Sequence, residues 1–490
     1  MNSRIKSAIN KYTSLSQSAR AGLWFTVCGF IQKGISFITV PVFTRLLTQE
    51  QYGAVSVYNT WEQLLSVICT LNLFYGGFNN GMRDYKDERD EYVSAVQSLI
   101  TVMTAAWVII YLLGRPIFDP LIGMSPVLML TMFLQVLATA ALSLWSARQR
   151  YDFRYRALVI ITAANAVISS AASVAAIMIV RAGSGAADYG AEAKILANAA
   201  VIVAVCGGVY FYNLKKGKTF FDRDIWKTAF LFNLPLLPHY LSTMVLNQAD
   251  RIMIDRMVGS GAAGVYSVAY SAAMVLNIFA TAVNNAFAPW LYRRLGKKEY
   301  KGVSGSSNLL FAGFALILFM LIAFAPECIY ILGGKEYSEA AVIVPPVASS
   351  LFFVFMYQIY ANVEFYYKKN KFIAIASVSG AVLNIVLNYF GIKMFGYVAA
   401  GYTTLICYVL FGFAHFFFMK KICKAEMPGT NLFRAGVAFA IGAALIAASL
   451  CMLPLYSHPF IRYSILLAAA LVIVICRGKI TKTIKAFKEN

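Results

Sequence analysis

The feature that most constrains this chain is a run of about fourteen apolar segments, each close to the ~20 residues a helix needs to cross a bilayer. They fall at roughly 21–44, 53–76, 93–113, 122–147, 157–180, 194–212, 228–248, 262–288, 306–325, 341–366, 372–392, 397–419, 435–453 and 461–476. The final segment is short and opens on Arg462, which is expected to snorkel to the interface. No polar gap exceeds about twenty residues, so no soluble catalytic domain fits between spans. Any chemistry must lie within a helical bundle or at its mouths. We therefore expect an all-α polytopic membrane protein that is not an enzyme.

Charge orients the bundle. The N-terminus and every second gap carry 33 of the 43 Lys and Arg residues, the alternate gaps carry 9, and Lys33 sits inside the first span. Cytoplasmic loops retain the basic excess, which predicts an inner-membrane protein with both termini in the cytoplasm. No cleavable signal peptide is expected, because the first apolar stretch is long, holds Lys33 and lacks a small-residue cleavage site. The net charge of +21 would otherwise suggest nucleic acid, but only 13% of residues are charged and no basic domain exists. The cations lie in short runs beside the spans, where they meet anionic membrane lipids. Eight cysteines occur singly, without CxxC or metal spacing, and read as small core hydrophobes. No metal site is expected. Gly217-Lys218-Thr219 mimics the end of a nucleotide-binding loop but has Tyr212 where the pattern requires glycine. Asp222-Arg223-Asp224 mimics a glycosyltransferase metal pair, yet its loop is too short for a nucleotide-sugar site, and a helix cap is expected instead.

The two halves echo each other. Arg45, Gly53, Ser56 and Val57 align with Arg256, Gly264, Ser267 and Val268 at one offset. Pro126, Phe153 and Asn165 align with Pro345, Phe372 and Asn384 at another. Six spans separate the copies, an even number, so both enter the membrane from the same side as parallel repeats. This predicts an N-terminal six-helix bundle over 1–212, a C-terminal one over 213–423 and an extra helix pair with a basic tail over 424–490, the bundles enclosing a central cavity.

Two motifs carry a family resemblance. Pro41-Val-Phe-Thr44-Arg45-Leu-Leu-Thr-Gln-Glu-Gln-Tyr52-Gly53 resembles the first-loop motif of bacterial polysaccharide biosynthesis flippases of the Wzx type. Leu246-Asn247-Gln248-Ala249-Asp250-Arg251-Ile-Met-Ile-Asp255, followed by Gly264-Val-Tyr-Ser267, resembles the same family. It belongs to the multidrug/oligosaccharidyl-lipid/polysaccharide exporter superfamily. The resemblance implies a twelve-span core and transfer of an undecaprenyl-diphosphate-linked oligosaccharide to the outer leaflet of a bacterial inner membrane, alongside polymerase and other assembly proteins. Fourteen spans resemble the lipid II flippases of that superfamily, where the extra pair borders a lipid groove.

Few ionisable groups lie within the spans, where each costs about 2.5–3.5 kcal/mol on insertion scales. Lys33 reads as a cation that attracts the diphosphate, or as a structural partner of Glu62. Glu62 is also a candidate ion-coupling carboxylate for H+ or Na+. Arg45, Asp250, Arg251, Asp255 and Arg256 cluster at the outer ends of spans one and seven and suit an outer gate. Asn59, Gln63, Asn247 and Asn284 offer amides to sugar hydroxyls. Pro235 and Pro238 interrupt span seven as a hinge. Glu364 is expected to form a solvated pair with Lys368 and Lys369, while His239 and His415 read as structural. A cation-coupled drug antiporter of the same fold is the rival reading; it calls for acidic, aromatic walls, and Lys33 argues against it.

Overall fold

The computed structural model describes residues 16–183 and 187–468, which form helices and turns with no strand among them. Expectations for the N-terminal arm before residue 16 and for the basic tail after 468 lie outside the described residues. The chain divides into two compact units between Met244 and Val245.

The first unit runs through α1 (Gln17–Leu46), α2 (Gln49–Thr70), α3 (Gly77–Asp84), α4 (Arg89–Leu113), α5 (Arg115–Ile122), α6 (Pro126–Tyr151), α7 (Arg156–Ala182), α8 (Gly190–Gly217) and α9 (Arg223–Asn233). A 3-10 turn, Leu234–Leu236, leads into α10 (Leu237–Met257), inside which the units divide. Helix starts follow local chemistry. Thr48 and Gln51 form a reciprocal capping box at α2. Ser125 caps α6 just before Pro126. Asp222 caps α9, the cap expected there from the sequence. One close approach requires glycine: a Cβ at Gly217 would lie 2.2 Å from the carbonyl oxygen of Asp90, so α8 and α4 meet backbone to backbone there.

The second unit contains α11 (Ser260–Gly296), α12 (Val303–Ala323), α13 (Ala325–Gly333), α14 (Val344–Tyr366), α15 (Asn370–Phe395), α16 (Ala399–Glu426), α17 (Ala435–Leu455) and α18 (Pro459–Ala468). Helix α14 is its core, with nearly every side chain buried. Phe352 and Phe355 on α14 interleave with Phe311 and Phe314 on α12. The repeated sequence signals occupy matching places. Arg45 and Arg256 lie in the last turns of α1 and α10, and Pro126 and Pro345 in the first turns of α6 and α14.

Among the described residues, twelve helical segments are long and apolar enough to cross a membrane. Helix α2 has the length, about 33 Å at 1.5 Å per residue, but Asn59, Glu62 and Gln63 dilute its apolar character. The last expected span is described only as far as Ala468. Arg462 does not snorkel. It is 1% exposed and ion-paired with Glu327 of α13, which also accepts a hydrogen bond from Tyr463. The guanidinium is anchored inward because a carboxylate lies within reach, so α18 is pinned to α13 and not to the interface.

Candidate functional site

In the second unit a carboxylate is sealed inside the helices. Asp250 on α10 has no exposed surface. Its Oδ2 accepts from Tyr266 Oη of α11 at 2.6 Å and from Thr404 Oγ1 of α16 at 3.0 Å. Its Oδ1 accepts from Asn388 Nδ2 of α15 at 2.6 Å. A second layer locks these donors. Asn388 Nδ2 also donates to Asn384 Oδ1 at 3.2 Å, Asn384 donates to Thr404 at 3.3 Å, and Thr403 donates to Asn388 Oδ1. Three converging donors fit the ionised form, which only accepts. Four helices thus meet on a single carboxylate. Arg251, next in sequence, turns away from that cage. It donates to Asn247 O at 3.1 Å and Gln248 Oε1 at 2.7 Å and lies over the Tyr270 ring, 4.3 Å from its centroid.

The residues expected at an outer gate have local partners within their own units. Asp250 is a buried hub, and Arg251 is buried against its own helix and Tyr270. Asp255 accepts from Ser260 across the α10–α11 turn at 2.5 Å. Arg45 donates to Pro41 O at 2.7 Å in the first unit, and Arg256 is exposed. The expected hinge prolines flank a real change of helix type: Pro235 lies in the 3-10 turn and Pro238 in the first turn of α10.

The first unit holds a smaller polar node. Glu62 on α2 lies beside the Gln135 side chain of α6, which accepts from Tyr58 Oη at 3.4 Å. Lys33 is not part of it. It stands exposed on α1 with no ion pair among the described residues, so the Lys33–Glu62 pair is not formed. Helix α1 packs on α7 through Cys28, whose Sγ lies 2.8 Å from Thr162 Oγ1. Lys33 falls about 140° around the helix from Cys28, on a different face. Asn59 is exposed, and Gln63 donates to its carbonyl at 3.2 Å. In the second unit Asn247 Oδ1 accepts from Tyr408 at 3.2 Å, and Asn284 Oδ1 from Asn362 at 2.8 Å. Of the expected sugar-facing amides, these two are thus engaged in helix–helix bonds.

Glu364 departs from expectation. It forms no pair with Lys368 or Lys369; it is fully buried on α14 and lies 2.9 Å from His415 Nδ1 on α16. Lys369 pairs with Glu426 instead, at 3.8 Å. Sequence reasoning missed Asn388, Thr404, Tyr266 and Gln135 as partners. Asn384 had surfaced through the repeat, and only its register one turn before Asn388 hinted at a shared face.

Residues 18–294 match the polysaccharide biosynthesis protein family, and residues 235–390 match the MatE family. A Haemophilus influenzae relative, Lsg locus protein 1, is 30% identical over 158 residues, covering 31% of this chain and 39% of that protein. The succinoglycan biosynthesis transport protein ExoT of Rhizobium meliloti is 24% identical over 63% of this chain and 60% of its own length. The matches thus span less than two thirds of these relatives. The structure of a lipid II flippase, MurJ, in an inward closed conformation superposes with a TM-score of 0.62 at 13% identity, covering 90% of this chain and 100% of that one, a likeness of fold. With more than half of its length matched, the chain belongs to the polysaccharide biosynthesis protein family, within the multidrug/oligosaccharidyl-lipid/polysaccharide exporter superfamily.

Proposed function

We propose that this protein is a flippase that carries an undecaprenyl-diphosphate-linked oligosaccharide from the inner to the outer leaflet of a bacterial cytoplasmic membrane. The observation that carries the reading is Lys33: a cation midway along a spanning helix, exposed, and without a carboxylate partner among the described residues. An uncompensated charge at that depth is costly. Water in a transport pathway lowers the cost, and an anionic substrate lowers it further. A diphosphate on a lipid carrier supplies that anion while its tail stays in the bilayer. A drug antiporter for cations would be repelled at the same position. Arg45 and Arg256 close repeated segments at helix ends and suit the gating role, and the 3-10 turn around Pro235 and Pro238 suits a bend during alternation between the two faces.

The coupling step falls to two carboxylates, the partly buried Glu62 and the sealed Asp250. Glu62 lies beside one amide from another helix, whereas Asp250 is held by the hydroxyls of Tyr266 and Thr404 and the amide of Asn388, with the oxygens of Thr403 and Asn384 in the layer behind. Oxygen donors around one negative charge suit a hard monovalent cation or a proton. An interior-negative potential gives about 2.3 kcal/mol per charge per 100 mV, which drives such a cation inward and a diphosphate outward. The test is the leaflet on which precursor accumulates in cells lacking the chain. Lipid-linked repeat units trapped on the cytoplasmic side, released by wild type but not by Lys33→Ala, support the reading. Normal glycan output from Lys33→Ala at wild-type protein levels would remove Lys33 from the mechanism.

A further inference from the structure

A second cationic feature lies at the opposite end of α1 from its Arg45 terminus, and it is separate from Lys33. Arg20 is thirteen residues before Lys33, about 20 Å along the helix. It lines an open cleft of about 470 Å³ with Arg154 and Arg156, together with Gln149, Phe153 and Tyr155.

The cleft is built by local structure. Helix α6 ends in a Schellman turn: Phe153 takes a left-handed φ of 55°, Phe153 N–H donates to Arg150 O at 3.2 Å and Arg154 N–H to Gln149 O at 2.8 Å. This turn sets Arg154 beside Gln149. Two residues later α7 begins, with Arg156 in its first turn and no side chain capping its free N–H groups. Trp24 stacks on Tyr155 at 5.9 Å, with rings inclined by 2°, and ties the start of α1 to the turn. Arg20 lies one helical turn before Trp24 and so shares the mouth.

Three neighbouring cations are already neutralised. Arg148 pairs with Asp90 and Asp152 at 3.2 and 2.8 Å, Arg89 with Asp152 at 3.6 Å, and Lys216 with Asp90 at 3.3 Å. Arg20, Arg154 and Arg156 have no ion pair among the described residues. Three guanidiniums and the positive end of a 27-residue helix therefore face one cleft without a counter-charge. Arginine at the first turn of a helix opposes the dipole, so the arrangement is unfavourable until an anion enters.

We propose that this cleft is a phosphate-binding site. Guanidinium forks match phosphate oxygens bidentately, and uncapped helix N–H groups complete the cradle. The phosphate comes from an anionic lipid headgroup or from a soluble phosphate; Phe153, 47% exposed at the rim, offers an apolar contact in the first case. The proposal does not depend on which saccharide is carried.

The test uses the full chain in two settings. In nanodiscs of phosphatidylcholine doped with phosphatidylglycerol, native mass spectrometry counts retained anionic lipid. In detergent, titration with inorganic diphosphate reads thermal stabilisation. Arg154→Gln/Arg156→Gln should weaken retention or stabilisation by at least about tenfold. Arg154→Lys/Arg156→Lys, which keeps charge but loses the fork, should fall between. Arg150→Gln, on the same turn but outside the cleft, should match wild type. Phosphatidylglycerol retention alone identifies a lipid site, diphosphate stabilisation alone a soluble one, and both together a site for either. Absence of both, or equal loss in Arg150→Gln, overturns the proposal. The Lys variant, with the charge intact, also keeps the test readable if the Gln pair fails to fold.

Discussion

The Tyr266→Phe substitution isolates the strongest contact in the buried hub. It removes one hydroxyl and leaves no unsatisfied atom on the ring, while Asp250 keeps Asn388 and Thr404. Interhelical hydrogen bonds in membrane proteins average about 0.6 kcal/mol by double-mutant cycles, with a maximum near 1.7. A bond to an ionised acceptor lies at the upper end, about 1.5–3 kcal/mol in general. With both partners fully buried and 2.6 Å apart, we expect Tyr266→Phe to cost about 1.5 kcal/mol. In an Asp250→Asn background the acceptor is neutral, so the same change should cost about 0.6 kcal/mol. The coupling is then about 1 kcal/mol, above the ~0.3–0.5 within which independent sites add. Steric trapping in lipid bicelles measures the four unfolding free energies. Equal losses in the two backgrounds would show that Asp250 carries no charge or that the bond is not made, and would remove it as the ion-coupling carboxylate.

Three further outcomes follow from packing. Gly217→Val should destabilise the first unit by about 1–3 kcal/mol, because the new Cβ meets the Asp90 carbonyl; an unchanged thermal midpoint of the purified protein would show that α8 can shift. Arg462→Leu should cost about 1–3 kcal/mol, less than the ~3–5 of a fully buried pair because Glu327 keeps 35% of its side chain exposed. Adding Glu327→Leu should restore most of that loss, and protease protection of the C-terminal helix reports both. His415→Phe should cost about 3–5 kcal/mol by stranding the buried Glu364, and Glu364→Leu in the same chain should recover it. Failure of that rescue in unfolding measurements would deny the coupling.

Hydropathy and alternate-gap charge were enough to reveal the helical class, because bilayer thickness fixes segment length and backbone satisfaction forces helices. The Asp222 cap was equally local: its side chain acts within one helical turn. Charge partners were not legible, since pairing depends on which helices pack. Asp250 meets Asn388 138 residues away and Thr404 154 residues away. Glu364 was misassigned because Lys368 and Lys369 are close in sequence, yet Glu364 faces inward on a core helix and its partner comes from α16. Arg462 was misassigned similarly: position at a span's end suggested the interface, and Glu327 from another helix drew it in.

These pairings sort the membrane-embedded charges by what neutralises them. Asp250, Glu364 and Arg462 each have a partner within the fold: hydroxyls and an amide, a histidine and a carboxylate respectively. Lys33, within a span, and Arg20, Arg154 and Arg156, at a helix mouth, have no ion pair among the described residues, and all four belong to the first unit. Structural charges in an apolar medium are retained only where partners exist. Charges without partners persist when something outside the fold supplies the counter-ion, and four cations call for an anion. On the proposed reading the first unit carries the affinity for phosphate, while the second unit carries a carboxylate whose cage loosens when a cation or proton exchanges. A transporter that moves an anion one way and a cation the other needs both kinds of site. Exchanging the lone charges of Lys33 and Asp250 for neutral isosteres should accordingly separate the two functions: Lys33→Met loses substrate handling with ion-dependent stabilisation intact, and Asp250→Asn loses the ion response with anion binding intact.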